Sequence, residues 1–292
     1  MKLGTTAALT ALALAACPPV TAIAAPQGKA YHIYQPNLFP KGAAPAQTSM
    51  LYYGGPVISN TKVVVVLWGP NVPKPTTAIL KPFFKALTNS TYVDQMAQYS
   101  TVGITGVNGD PGTNQTIARG SFGGKFVITP ANKNTNITDA DVQTELEGQI
   151  TAAHLPKANL NTLYMIYFPA GITITLDGLT SCSSFGAYHE AVSSNVTKKN
   201  IFYGVMPDCG YSPAEETSVS SHEFAEATTD AIPTPRSNPA FPQAWNTANG
   251  YEIGDLCESF QGKLTAAGQT YTVQQVFLNT THACSTGNYT SP

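Results

Sequence analysis

Runs of apolar residues along the chain predict a set of short strands. The segment from Lys62 to Trp68 contains four consecutive valines and is stopped by Gly69 and Pro70, which predicts a strand buried on both faces. Shorter apolar runs predict four further strands, at 125–129, 162–168, 172–176 and 200–206.

Three segments have the spacing and the boundary residues of helices. Apolar residues recur at helical spacing over 138–153, where a threonine and two aspartates form a favourable N-terminus. An earlier helix is predicted over 81–99, with Pro82 tolerated because it lies near the start. A late helix is predicted from Glu215 until Pro233 ends it.

The order of these elements indicates one domain of the α+β or α/β class. Strands and helices alternate at first, and the last helix follows a group of strands. We expect a single domain over 51–292, with a central mixed sheet, flanking helices and a late helix that carries the chemistry.

The N-terminus has the features of a secretory signal. A lysine at position 2 precedes an apolar run through Ala16, and small residues at 22 and 24 fit cleavage after Ala24. The sequence therefore predicts a signal peptide over 1–24 and a secreted protein. A lipobox-like stretch ending at Cys17 is the alternative, and it predicts a lipid-anchored protein.

The segment that follows the signal has no hydrophobic periodicity. Residues 25–50 are rich in proline, alanine and glycine, and they are predicted to form a flexible arm, either a linker or a short pro-segment-like piece. No run reaches the roughly 18 apolar residues that a membrane-spanning helix needs. The sequence therefore predicts no membrane span, and nothing in it specifies an oligomeric state.

Charge and cysteine content narrow the functional classes. Charged residues make up 11% of the chain and the net charge is −2, without a basic run, which argues against nucleic-acid binding. Beyond Cys17 there are four cysteines, an even number that predicts two disulfides in an oxidising compartment, with three connectivities open. Buried free thiols are the alternative. These cysteines are Cys182, Cys209, Cys257 and Cys284.

The late helix contains an H-E-x-x-E motif. His222 and Glu226 are four residues apart, so a helix projects both from one face, where they can bind one metal ion. Glu223 flanks that face and can act as general base toward an attacking water, as in H-E-x-x-H sites. A carboxylate in place of the second histidine makes Mn²⁺ or Ca²⁺ compatible ions beside Zn²⁺. A solvated acidic helix is the alternative interpretation.

A second acidic cluster follows downstream and supplies candidates for the remaining ligands. Glu252 and Asp255 share a face if this segment is a turn of helix, and point to opposite sides if it is extended. Gly254 between them is expected to let the backbone bend both carboxylates inward. We expect both to bind the metal, and His189 is the next candidate, although a structural histidine is the commoner case.

These segments resemble the phosphate-induced, EXORDIUM-like proteins of plants and their bacterial and fungal relatives. The resemblance rests on Tyr53-Gly54-Gly55-Pro56, the strand that ends in Trp68-Gly69-Pro70, the motif at 221–230 and the segment 252–257, in that order. It implies an exported protein with a zincin-like helix. Family members are often described through growth or cell-wall responses, so the resemblance does not by itself imply catalysis.

The sequence as a whole predicts a secreted, metal-dependent hydrolase, in first place a zinc endopeptidase acting on peptide or protein substrates. His222, Glu226, Glu252 and Asp255 are the predicted metal ligands, and Glu223 is the predicted catalytic base. Asp230 is expected to orient His222 or to cap the helix. The alternatives are a non-catalytic extracellular protein with a structural metal site, and a metal-dependent hydrolase of glycans or esters.

Overall fold

The computed structural model describes Met1 and residues 33–34, 48–194, 199–233 and 239–287. Apart from Met1, the predicted signal peptide 1–24, with Cys17, lies outside the described residues. The same holds for most of the predicted arm 25–50.

The described residues form four α-helices and fifteen short strands. The helices are α1 (Lys74–Leu87), α2 (Thr91–Asp94), α3 (Asp139–Thr151) and α4 (Pro213–Thr229). The strands up to α4 are β1 (Ile33–Tyr34), β2 (Leu51–Tyr52), β3 (Lys62–Leu67), β4 (Ser121–Val127), β5 (Asn136–Thr138), β6 (Thr162–Tyr167), β7 (Thr173–Leu176), β8 (Leu179–Thr180), β9 (Ala187–Ser194) and β10 (Lys199–Met206). The strands after α4 are β11 (Trp245–Asn246), β12 (Gln261–Ala266), β13 (Gln269–Gln274), β14 (Val276–Leu278) and β15 (Ala283–Ser285).

A six-stranded mixed sheet lies at the centre, in the order β1-β9-β10-β6-β3-β4. Strands β10, β6, β3 and β4 are parallel neighbours, whereas β9 and β1 add to one edge in antiparallel pairs. The predicted α+β class with a central mixed sheet is therefore confirmed.

Strand β3 is buried on both faces, as its run of valines predicts. Val63 and Val65 pack into the core on one side of the sheet, where α1 and α4 lie. Val64 and Val66 pack into the core on the other side, which α3 covers. Helices on both faces explain why a continuous apolar run, rather than an alternating one, forms this strand.

Helix α1 begins earlier than predicted. It starts at Lys74, contains Pro82 in its interior and ends at Leu87, and the rest of the predicted 81–99 helix divides into α2 and a 3₁₀ turn over Gln95–Tyr99. Pro82 cannot donate a backbone hydrogen bond. Burial of the apolar face that includes Phe83 and Phe84 compensates, because tertiary packing supplies most helix stability.

Several strands were not predicted from the sequence. Strand β4 starts at Ser121 rather than Lys125, because it pairs with the whole length of β3. Strand β9 and the C-terminal hairpins β12–β13 and β14–β15 lack a long apolar run, and they form through antiparallel pairing with neighbouring strands. None of the described helices is long and apolar enough to cross a membrane.

Helix α4 has strong local signals at both ends. Ser212 and Glu215 form a reciprocal capping box, and Pro213 occupies the first turn, where its missing N–H costs nothing. Asp230 is the C-cap residue, close to the predicted end. Residues 216–229 are buried, since the sheet lies on one side of α4 and the β12–β13 hairpin on another.

The four cysteines form two disulfides, as the sequence predicts. The bonds join Cys182 to Cys209 and Cys257 to Cys284, and in each case the sequence separation is 27 residues. This pairing is one of the three connectivities that the sequence leaves open. Disulfides of this kind are compatible with an extracellular protein.

We expect alkylation of the unreduced protein to label none of these four cysteines, as mass spectrometry can check. Because both loops are equally long, replacing either cysteine pair by alanine should lower the free energy of unfolding by a similar amount, about 2–5 kcal/mol in denaturant titrations. Quantitative labelling of Cys257 or Cys284 in the native protein would contradict the pairing.

Candidate metal centre

The histidine and the second glutamate of the H-E-x-x-E motif meet inside the protein. His222 Nε2 lies 3.0 Å from Glu226 Oε2, and both side chains are fully buried. The spacing of four residues places them on one face of α4, as predicted. The motif is therefore not part of a solvated acidic helix.

The downstream acidic segment packs against this face of α4. Its backbone turns after Glu252 and continues as a 3₁₀ helix over Asp255–Cys257, which the Cys257 disulfide ties to β15. The Asp255 N–H donates to Glu226 Oε1 at 2.9 Å, and the Asp255 carboxylate accepts the Glu252 N–H at 2.9 Å. The Leu256 N–H donates to the Glu252 carbonyl at 3.4 Å, so the segment forms a turn rather than an extended strand. Both acidic side chains are buried.

Gly254 is required for a reason other than the expected one. Its φ of −77° is open to any residue, so conformational freedom is not its contribution. A Cβ at this position would lie 2.7 Å from Glu226 Oε1 and 2.7 Å from His222 Nδ1. The segment can approach the motif only because Gly254 has no side chain.

His189 also belongs to the cluster, although the sequence favoured a structural role for it. It lies on β9 and is 1% exposed, with Nδ1 at 3.4 Å from Glu223 Oε2 and 3.9 Å from Glu226 Oε2. Its Nε2 lies 3.6 Å from Glu252 Oε1. The alternation of β9 was the available signal: Tyr188 packs into the core on the α3 side, so His189 faces α4.

Donor atoms converge in two groups that share one carboxylate. His222, Glu226 and Asp255 form one group, and His189, Glu226 and Glu252 form the other. Within each group the donor atoms lie within 4.8 Å of one another, and every residue is buried. The structure thus brings together all four predicted ligands and adds His189, and a cation held by either group contacts Glu226.

Glu223 lies beside both groups without belonging to either. It is fully buried, and neither of its carboxylate oxygens has a hydrogen-bond partner of normal geometry among the described residues. Burial raises the pKa of its carboxyl well above the usual value. His222 and the nearby backbone N–H of Tyr34 oppose this rise, whereas Glu226 and Asp255 add to it. Its position beside both groups, outside either set of donor atoms, suits a group that transfers protons rather than a ligand.

The histidines are held in defined orientations. The side-chain amide of Gln274, a residue that no sequence motif singles out, lies 2.8 Å from His222 Nδ1 and donates to the Gly254 carbonyl. Burial lowers the pKa of His222, but the ion pair and hydrogen bond with Glu226, together with the charges of Glu223 and Asp255, raise it to about 10. A cation at Nε2 would replace the proton that faces Glu226.

Asp230 supports the cluster through its backbone. The carbonyl of Asp230 lies 3.1 Å from His189 Nε2, which leaves His189 Nδ1 facing Glu223 and Glu226. Its carboxylate accepts the Ala244 N–H and the Asn246 side-chain amide instead of a histidine. Asp230 therefore caps α4, which is one of its two expected roles, and its carbonyl contacts His189 rather than His222.

Comparisons with protein-family models, with curated proteins and with solved structures find no match to this chain. The class of site is therefore defined by its own geometry, a buried cluster of imidazoles and carboxylates at the contact between α4 and the 252–257 segment.

We expect Gly254→Ala to weaken Zn²⁺ binding by at least about tenfold, because its methyl group must push the acidic segment away from His222 and Glu226. Calorimetric titration of metal-free protein measures this change. Gly148→Ala, on an exposed part of α3 with open space around it, is the matched control and should gain about 0.5–1 kcal/mol of stability. Wild-type affinity in both variants would contradict the role of Gly254.

Proposed function

We propose that this chain is a secreted, metal-dependent hydrolase with a zincin-like domain, in first place a zinc endopeptidase. A cation is held by His222 and Glu226 together with Glu252, Asp255 or His189. Zn²⁺ suits the imidazole donors, and the high carboxylate content leaves Mn²⁺ and Ca²⁺ as alternatives. The substrate is a peptide or a protein.

One observation carries this proposal: two imidazoles and two further carboxylates converge on the carboxylate of Glu226. Their donor atoms lie within 4.8 Å of one another in each group, and the residues are buried. Buried charges are costly unless they are paired or bind a metal. Either group offers three donor atoms from buried side chains, which supports the proposal of a bound cation.

Glu223 gives the site a catalytic group in addition to ligands. A divalent cation there would supply Lewis acidity toward a carbonyl oxygen and a water. Glu223 accepts the proton of the attacking water and delivers it to the leaving amine. Its carboxylate lies beside both donor groups without belonging to either, so it is not needed as a ligand.

The alternative of a non-catalytic extracellular protein with a structural ion is favoured by a different observation. His222, Glu223, Glu226 and Glu252 have no exposed surface in this structure, and a structural metal is usually enclosed. Secretion and membership of the EXORDIUM-like proteins fit both candidates and are part of this proposal. The role of Glu223 separates the two.

We expect Glu223→Gln to retain the fold and the bound metal and to lower the rate of peptide hydrolysis by about 10²–10⁴-fold, because a general base is lost while the ligands remain. Turnover of a fluorogenic peptide library, with metal content measured on the same samples, tests this expectation.

Glu147→Gln is the matched control, since Glu147 lies on α3, on the opposite side of the sheet. Peptide hydrolysis by Glu223→Gln at the wild-type rate would contradict the catalytic proposal. Metal-loaded wild-type protein that hydrolyses no peptide would favour the structural-ion candidate.

A further inference from the structure

The edge of the central sheet next to the cluster is covered by a short piece of the N-terminal segment. Strand β1 contains two residues, and it pairs antiparallel with β9, with Ile33 opposite Tyr188 and Tyr34 opposite Ala187. The Gly186 N–H donates to the Tyr34 carbonyl at 2.7 Å. An extended piece of chain therefore occupies the edge that β9 would otherwise expose.

This piece of chain lies directly against two residues of the candidate metal centre, His222 and Glu223. The Tyr34 ring meets the His222 ring edge-on, with centroids 5.1 Å apart and an interplanar angle of 78°. The Tyr34 backbone N–H lies close enough to the Glu223 carboxylate to oppose the rise in its pKa. A main-chain amide thus lies beside the proposed general base, where a peptide substrate would have to bind.

Gly186 makes room for the Tyr34 ring next to Tyr211. A Cβ on Gly186 would lie 2.9 Å from Tyr34 Cδ1 and 2.0 Å from the Tyr211 hydroxyl, so the absence of a side chain at Gly186 makes room for both rings. Burial, with smaller contributions from the negative charges of Glu258 and Glu215, raises the pKa of Tyr34 to about 12. An acidic side chain in this position would be repelled.

From this geometry we propose that the β9 edge is a binding groove for an extended peptide, and that the chain's own Ile33–Tyr34 segment occupies it and blocks the site. Main-chain pairing along a sheet edge does not depend on the sequence of the added strand, so another extended peptide can take the place of β1. That the segment inhibits an enzyme rests on the proposed function. That the β9 edge binds an extended peptide does not depend on catalysis.

The test measures peptide binding to the full chain. The probe is a fluorescein-labelled synthetic peptide with the sequence of residues 30–37, and fluorescence anisotropy gives its affinity. Wild-type protein should bind it weakly, because the tethered segment competes at high effective concentration. Tyr34→Asp should bind it at least about tenfold more tightly, since the new carboxylate expels the chain's own segment.

Three controls make the result specific. Tyr34→Phe keeps the ring and the N–H and should bind the probe as weakly as wild type. Ile33→Pro disturbs the pairing without adding charge and should behave like Tyr34→Asp, which keeps the test valid if one variant fails to fold. A probe with aspartate at the position of Tyr34 should bind weakly to both Tyr34→Asp and Ile33→Pro.

Equal affinity of wild type, Tyr34→Asp and Ile33→Pro for the probe would overturn the inference. Because binding is measured on metal-free protein and again with Zn²⁺, the outcome is independent of hydrolysis. Tighter probe binding without any peptide hydrolysis leaves the groove in place and removes the enzymatic proposal. Hydrolysis without a change in probe binding removes the groove and leaves the enzyme.

Discussion

Burial of acidic side chains next to two histidines is the constraint on which the rest of this structure depends. Glu223, Glu226 and Glu252 have no exposed surface, and Asp255 is 3% exposed. Carboxylates in a low-dielectric interior repel one another and lose their hydration, so they need positive charge or strong hydrogen-bond donors nearby. The two imidazoles, the Asp255 N–H and the proposed cation meet that need.

The surrounding fold can be understood as the frame that holds this cluster. Strand β9 supplies His189, helix α4 supplies the motif, and the 252–257 segment supplies the remaining carboxylates. A disulfide fixes that last segment at Cys257, and Gly254 lets it approach the helix. Supporting contacts of this kind set the orientation of metal ligands, which determines affinity as much as the ligands themselves.

Local signals in the sequence were sufficient for much of the fold and the centre of the site. The valine run of β3, the caps of α3 and α4 and the even cysteine count each have a short-range physical basis, and the structure shows the elements they predict. His189 was only a reserve candidate and Gln274 was not a candidate, because their roles arise when β9 and β13 pack beside α4. The spatial role of Gly254 was hidden for the same reason, since no backbone signal accompanies a close approach.

Glu226 is proposed to be the shared ligand of a bound cation. Anomalous diffraction at the zinc edge, from crystals grown with Zn²⁺ and without chelator, can locate that cation. We expect one strong peak about 2.0–2.2 Å from a Glu226 carboxylate oxygen, with a nitrogen of His222 or His189 about 2.0–2.1 Å from the same peak. Crystals that show zinc elsewhere on the protein and none beside Glu226 would contradict it.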